Sequence, residues 1–297
     1  MDLSFRKYDF LAIGTSWSIE INHLISEKEF ALITKAIALC IEDFDVTYSR
    51  FRSDSLVAQI SNQPGSYTFP EHGAKLFNCY WNLYKATGQK VTPLIGDLMV
   101  QTGYDAVYSL QPTTDIRPVQ KWEDVMTYKH PILLTNTAIT LDFGAAGKGY
   151  LIDLIGGILN DYNIQDYCID GSGDYLFKNS KAKTVDVGLG NPNDPTEVIG
   201  VAQVSDSICG SSAAYRRWAG RHHIMDPDTT ESVSDIIANW ATAKTALIAD
   251  GIATALFFTD PDHLKKYFTF EFMTLDKDMR CSRSNGFAAQ LFEGQAV

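Results

Sequence analysis

The stretch Ile139-Thr140-Leu141-Asp142-Phe143-Gly144-Ala145-Ala146-Gly147-Lys148-Gly149-Tyr150 joins an apolar run to a helix through a series of small residues. The spacing predicts a strand over 139–142 and a helix from about Gly147 that carries Leu151, Leu154, Ile155, Ile158 and Leu159. Small residues let a ligand approach the backbone, and the free N–H groups of a helix start favour phosphate. Lys148 adds a positive charge. The GxxxxGK[ST] spacing of a P-loop is absent and GxGxxG does not fit either. A tight strand-to-helix turn with a solvated lysine is the plain alternative.

Outward from this turn, the elements do not alternate as βαβ units. Upstream, Phe10–Ile21 is partly alternating and reads as a strand or hairpin. Phe30, Ile33, Ile37, Ile41 and Phe44 recur at helical spacing. Ser49–Ser55 is a polar loop, and a second helix with Leu76, Phe77, Tyr80, Leu83 and Tyr84 follows Pro70 and stops at Thr87-Gly88. Residues 91–130 read as irregular, and Ile132–Leu134 is expected to pair with Ile139–Asp142 around Thr135-Asn136-Thr137. Downstream, strands are predicted at Tyr167–Ile169, Thr184–Leu189 and Val198–Val204, a long helix over Lys244–Phe258, and closing strands at Tyr267–Thr274 and Phe287–Phe292. This order favours α+β, mixed sheets flanked by helices. One domain over residues 1–297, or two intertwined lobes, is expected.

Composition narrows the function. The chain has 297 residues and a net charge of −11, which disfavours a nucleic-acid partner. A hydrophobic fraction of 45% supports a full core. The five cysteines are scattered and lack a CxxC pair, as expected of buried free thiols in a reducing compartment. No signal peptide or membrane-spanning run is visible, so a cytoplasmic protein is expected if Met1 is the native start.

Other segments could carry chemistry. Asp250 and Thr254 stand four apart in Ala249-Asp250-Gly251-Ile252-Ala253-Thr254, so they share one helix face among apolar neighbours. A hard cation such as magnesium would offset a buried carboxylate there. A surface Asp with a Thr bonded to the preceding turn is the alternative. In Arg221-His222-His223-Ile224-Met225-Asp226-Pro227 the histidines would point in different directions on a strand. One could act as a base, or either could be structural, and the sequence does not choose between them. HxH and HExxH spacings are missing, which argues against zinc. Gly171-Ser172-Gly173-Asp174 could approach a ligand or make an ordinary turn. Ser211-Ser212-Ala213-Ala214-Tyr215-Arg216-Arg217 could bring hydroxyls and cations to phosphate, or start a helix with a serine cap.

Taken in order, these segments resemble the FAD:protein FMN transferase family, the ApbE-like flavin transferases. Ser49–Ser61 is similar to that family's Ser-rich segment, Leu141–Asp153 to its small-residue turn with Lys-Gly-Tyr, and Ile169–Asp174 to its glycine turn. Ser211–Arg217 is similar to its hydroxyl-rich segment, His223–Pro227 to its His-Ile-x-Asp-Pro signature, and Ala249–Ala255 to its metal-binding helix. The resemblance implies that Asp250, Thr254 and the Ala145 carbonyl hold Mg²⁺, and that Lys148 and His223 are catalytic. It implies FAD-binding roles for Thr15, Tyr104, Gly144, Lys148, Asp153, Gly171, Gly173, Ser212, His223, Ile224 and Asp226. The implied activity is transfer of FMN from FAD to a Thr or Ser hydroxyl of an acceptor flavoprotein, with release of AMP. An FAD pyrophosphatase giving FMN and AMP, or an FAD carrier without turnover, would use the same site. Three positions depart from the family pattern: Ser211-Ser212-Ala213 replaces Thr-Ser-Gly, Thr230 replaces a glycine, and Thr92 replaces an aspartate.

Overall fold

The computed structural model describes residues 3–179, 183–214 and 217–292. The chain opens with the antiparallel hairpin β1 (Leu3–Ala12) and β2 (Thr15–Ser26). Ser26 and Glu29 then form a reciprocal capping box that starts α1 (Glu27–Tyr48). Helix α1 has 22 residues, longer than its apolar stripe indicates, and buries Ile33, Ile37 and Phe44. The loop from Ser49 leads to α2 (Leu56–Asn62), β3 (Gly65–Thr68) and α3 (Gly73–Ala86).

Residues 91–130 are more ordered than the sequence indicates. They hold a 3₁₀ turn at Pro93–Ile95, α4 (Gly96–Gln101), α5 (Trp122–Val125) and β4 (Met126–Lys129). Each helix there is too short to show a helical period.

Strand β5 (Ile132–Thr135) does not pair with 139–142, contrary to expectation. It already lies between β3 and β4, so both of its edges are taken. Residues 139–142 are instead held as an extended segment, with Asp142 N–H donating to Pro93 O (2.7 Å) and Thr140 N–H to Asp97 Oδ1 (3.2 Å). Helix α6 (Gly147–Asp161) follows where the sequence places it.

The remaining elements are β6 (Tyr167–Asp170), β7 (Tyr175–Lys178), β8 (Val185–Asn191), β9 (Asp194–Val204), β10 (Ser207–Ser212), β11 (Arg217–Trp218), β12 (Arg221–His222) and β13 (Ile236–Ala243). Helices α7 (Ala246–Ala255) and α8 (Pro261–Leu264) precede β14 (Glu271–Asp276), β15 (Cys281–Arg283) and β16 (Ala289–Leu291). Ser211 and Ser212 end a strand, so the helix-cap reading of that segment fails; Tyr215 and Arg216 lie outside the described residues.

The large sheet has eight strands in the order β1-β2-β6-β7-β10-β13-β14-β15. Period-two alternation gives it two apolar faces. Cys209, Ala241 and Phe272 belong to the main core with α1, α3, α6 and α7. Ile208, Trp240 and Met273 point the other way, onto the three-stranded sheet β16-β9-β8. The architecture is α+β, as the order of elements predicts. The thiols are less uniformly hidden than expected: Cys79 and Cys209 are buried, Cys40 and Cys168 half-buried, and Cys281 exposed. Among the described residues no helix is long and apolar enough to cross a membrane.

Candidate active site

Helices α6 and α7 cross at close range, and the small residues of both sequences permit it. Gly149 of α6 lies against the Ala246 carbonyl at the start of α7, and its N–H donates to Asp250 Oδ2 at 2.8 Å. Thr245 caps α7 by accepting from Ile248 N–H. This crossing sets Asp250 and Thr254 beside the turn that precedes α6. Thr254 Oγ1 donates to the Ala145 carbonyl at 3.4 Å, and Ala145 N–H donates to Tyr80 Oη at 3.1 Å. Asp250 is only 6% exposed.

Lys148, one residue before the crossing, sends Nζ to Asp174 Oδ2 at 2.8 Å. Asp174 is buried, and its other oxygen accepts from Gly210 N–H of β10 at 2.9 Å. Burial disfavours the Lys148 ammonium, but the Asp174 and Asp250 carboxylates outweigh it and hold the lysine above its ordinary value. The lysine is therefore cationic across the physiological range.

A cavity of about 800 Å³ opens over this crossing. It brings together Thr15, Tyr104, Gly144, Ala145, Lys148, Ser212, His223, Ile224, Asp250 and Thr254, residues separated by up to two hundred positions or more in the chain. Lys90, Arg50 and Arg217 add cations to its wall, and Asp45, Asp142 and Asp174 add carboxylates. The aromatic part of the wall holds Phe51, Tyr108 and Trp218, with Tyr104 stacked on Trp218 at 5.1 Å between centroids.

Four residues expected to line the ligand are not on this wall. Asp153 faces the other way along α6: its two oxygens accept from Ala246 N–H (2.9 Å) and Leu247 N–H (3.0 Å), so it secures the start of α7. Gly171 and Gly173 shape the β6–β7 turn. A side chain at Gly171 would meet Ile152 and Trp17, and Gly173 has φ +91. That turn delivers Asp174 to Lys148, so the glycines act through the aspartate that follows them. Asp226 is ion-paired with Lys90 at 2.7 Å and accepts from Asp228 and Thr229 N–H groups. Burial would raise its pKa, but Lys90 and these donors hold it below the ordinary value. Its carboxylate meets Lys90, which lines the cavity.

The two histidines separate at the end of β12, which includes His222 but not His223. His222 is buried; its Nδ1 accepts from Ile224 N–H at 3.2 Å, and its Nε2 lies 2.7 Å from Val233 O. Those bonds place the proton on Nε2. Burial, the largest influence, pushes its pKa down, which fits a neutral structural ring. His223 lines the cavity. Of the departures from the family pattern, Thr92 also lines it and accepts from Leu94 N–H at 3.2 Å, while Thr230 takes φ +63, a left-handed conformation that strains a β-branched residue.

Sequence reasoning missed Asp174 as a site residue although the turn containing it stood out. It also missed Arg50, Lys90, Asp45 and Asp142, whose roles depend on contacts between distant segments. No group of three or more His, Cys, Asp or Glu side chains suited to a metal occurs among the described residues. A site made from one carboxylate, one hydroxyl and one carbonyl has a different composition. These are hard oxygen donors of the kind magnesium takes.

The Asp153 carboxyl is pushed up to about 6 by burial, which outweighs its two N–H donors. A folded-state pKa above the ordinary 3.8 means that the folded chain holds the proton more tightly. Its contribution to stability is therefore present below about pH 4 and lost as pH rises through about 6. For a half-buried group the change is about 1–2 kcal/mol. The melting temperature of the native chain, relative to Asp153→Asn, should fall between pH 4 and pH 7. A constant difference over that range would contradict the shift.

Curated relatives are similar over most of the chain. The FAD:protein FMN transferase of Buchnera aphidicola subsp. Schizaphis graminum is 21% identical over 264 residues, covering 82% of this chain and 77% of the relative. That of Treponema pallidum is 24% identical over 277 residues, covering 83% and 76%. Among solved structures, the flavin transferase ApbE of Vibrio cholerae superposes with a TM-score of 0.79 at 15% identity, covering 96% of this chain and 98% of the other. At that identity the likeness is one of fold. The sequence profile of the ApbE family matches residues 13–274, and the chain belongs to the ApbE family.

Proposed function

We propose that the chain is a magnesium-dependent FAD:protein FMN transferase, which cleaves the FAD pyrophosphate and joins FMN to a Thr or Ser hydroxyl of an acceptor flavoprotein. The observation that carries this reading is the convergence of Asp250, Thr254, the Ala145 carbonyl, Lys148 and His223 on one cavity. The names of the curated relatives supply the substrate and the transfer.

Asp250, Thr254 and the Ala145 carbonyl would hold the metal, which when bound supplies positive charge against the pyrophosphate. Lys148 places a second, permanent cation next to the phosphates, fixed by Asp174. His223 accepts the proton of the acceptor hydroxyl. The hydroxyl oxygen forms a bond to the phosphorus on the FMN side. The bond from that phosphorus to the bridging oxygen breaks, and AMP leaves with the oxygen. In-line positioning and electrostatics carry most of such a transfer.

The test incubates the purified chain with FAD and Mg²⁺, with and without an acceptor flavoprotein, and follows AMP and covalent flavin. AMP and flavinylated acceptor are expected to appear together, and both to vanish in EDTA. AMP release at the same rate without acceptor would replace the transferase by a pyrophosphatase. Tight FAD binding with no AMP under either condition would replace it by a carrier.

A further inference from the structure

The loop after α1 ends the cavity wall with a buried arginine that no motif assigns. Arg50 is 3% exposed at its side chain. Its Nε donates to Asp142 Oδ2 at 2.5 Å, and its Nη1 donates to the Tyr104 carbonyl at 2.8 Å. The guanidinium also lies over the Phe51 ring, 4.1 Å from the centroid, and 5.2 Å from that of Tyr104. One side chain thereby ties together the loop after α1, the loop after α4 and the segment that leads into α6.

Asp142 passes this fixation on. While Oδ2 takes Arg50, Oδ1 accepts from Gly144 N–H at 2.6 Å, and the Asp142 N–H is bound to Pro93 O. The carboxylate thus folds the turn directly before Ala145, whose carbonyl already meets Thr254. Without the guanidinium, the half-buried Asp142 carboxylate on the cavity wall would lose the partner that fixes its rotamer, and the Gly144–Ala145 peptide would follow it.

We propose that Arg50 is a positioning residue of the active site, clamping the 142–145 turn through Asp142 so that the Ala145 carbonyl stays aligned with Asp250 and Thr254. Nη2 of Arg50 is buried and has no hydrogen-bond partner among the described residues. Here the fork is spent on geometry at the cavity wall and one donor is left over.

The inference rests on the magnesium site proposed above. Its test is FAD binding, read by flavin fluorescence over a Mg²⁺ series, for the native chain, Arg50→Lys, Asp142→Asn and the double variant, with melting temperatures measured alongside. Lysine keeps the charge but cannot reproduce the fork that reaches Asp142 and Tyr104 together. Each single variant should raise the Mg²⁺ concentration for half-maximal effect about tenfold, by analogy with the loss of residues that orient metal ligands. The double variant should show about the same tenfold shift, because both changes break one clamp. A native-like Mg²⁺ response in Arg50→Lys, or a multiplicative shift in the double variant, overturns the proposal. If Arg50→Lys does not fold, Asp142→Asn decides by the same shift or its absence. A native chain whose FAD binding ignores Mg²⁺ overturns the magnesium reading itself. A native response that the variants share overturns only Arg50.

Discussion

Replacing Asp250 with alanine is expected to lower AMP release from FAD at least a hundredfold and to remove its dependence on Mg²⁺. Asp250 supplies the one carboxylate of the proposed metal site, and a hard divalent cation held by a hydroxyl and a carbonyl alone is held weakly. The carboxylate has a second function that the substitution also removes. Its Oδ2 accepts from Gly149 N–H at the helix crossing, and its charge helps to keep Lys148 protonated. Losing a buried acceptor costs about 1–3 kcal/mol, partly offset because a buried charge is also removed. The chain should therefore remain folded, with a melting temperature a few degrees lower. Asp250→Asn divides the two effects. The amide oxygen can still accept from Gly149 but carries no charge, so stability should recover more than turnover does. Mg²⁺-dependent AMP release by Asp250→Ala within about threefold of the native chain would remove Asp250 from the site.

That Asp250 and Thr254 share one helix face was legible because a spacing of four on a helix is a local property, and α7 is a helix over both positions; their proposed metal role came with the family resemblance and not with the spacing. The same holds for the stripes of α1, α3 and α6 and for the alternation of β6, β8 and β9, which depend on residues within a few positions of one another. What the sequence conceals is which edges and faces are already occupied. Residues 139–142 have the composition of a strand, yet β3 and β4 already fill both sides of β5. The family resemblance makes Asp153 a site residue, as the Asp after Lys-Gly-Tyr, but five positions beyond Lys148 it looks toward the start of α7. Arg50 lies in a segment singled out for its serines, and its partners stand 92 and 54 positions away. Strand β13 went unread because Ile236–Ala243 is apolar on both faces and shows no period, as a central strand covered on both sides must be. Local periods reveal elements, whereas the site is made of contacts between elements.

Gly149→Ala should destabilise the chain by about 3 kcal/mol or more. In an exposed helix the same substitution stabilises by about 0.5–1 kcal/mol, since glycine loses more backbone freedom on folding. The sign reverses here because the added Cβ would lie 2.5 Å from the Ala246 carbonyl carbon and 2.7 Å from Asp250 Cβ. The nearest group is backbone at the first turn of α7, held by the Thr245 cap and by Asp153, so no side-chain rotation relieves the overlap. The two helices must separate, and the Gly149 N–H bond to Asp250 lengthens with them. Gly157→Ala, on the same helix, is the control: nothing lies within 4 Å of its added methyl, and the position is exposed. Thermal melts should place Gly149→Ala at least about 6 °C below the native chain and Gly157→Ala level with it or slightly above. AMP release should fall with the first variant and not with the second, because only the first moves Asp250 away from Lys148 and the Ala145 carbonyl. Equal melting temperatures for the two variants would show that the α6–α7 crossing has room the structure denies. The tightness of that crossing would then no longer account for the glycine between Lys148 and Tyr150.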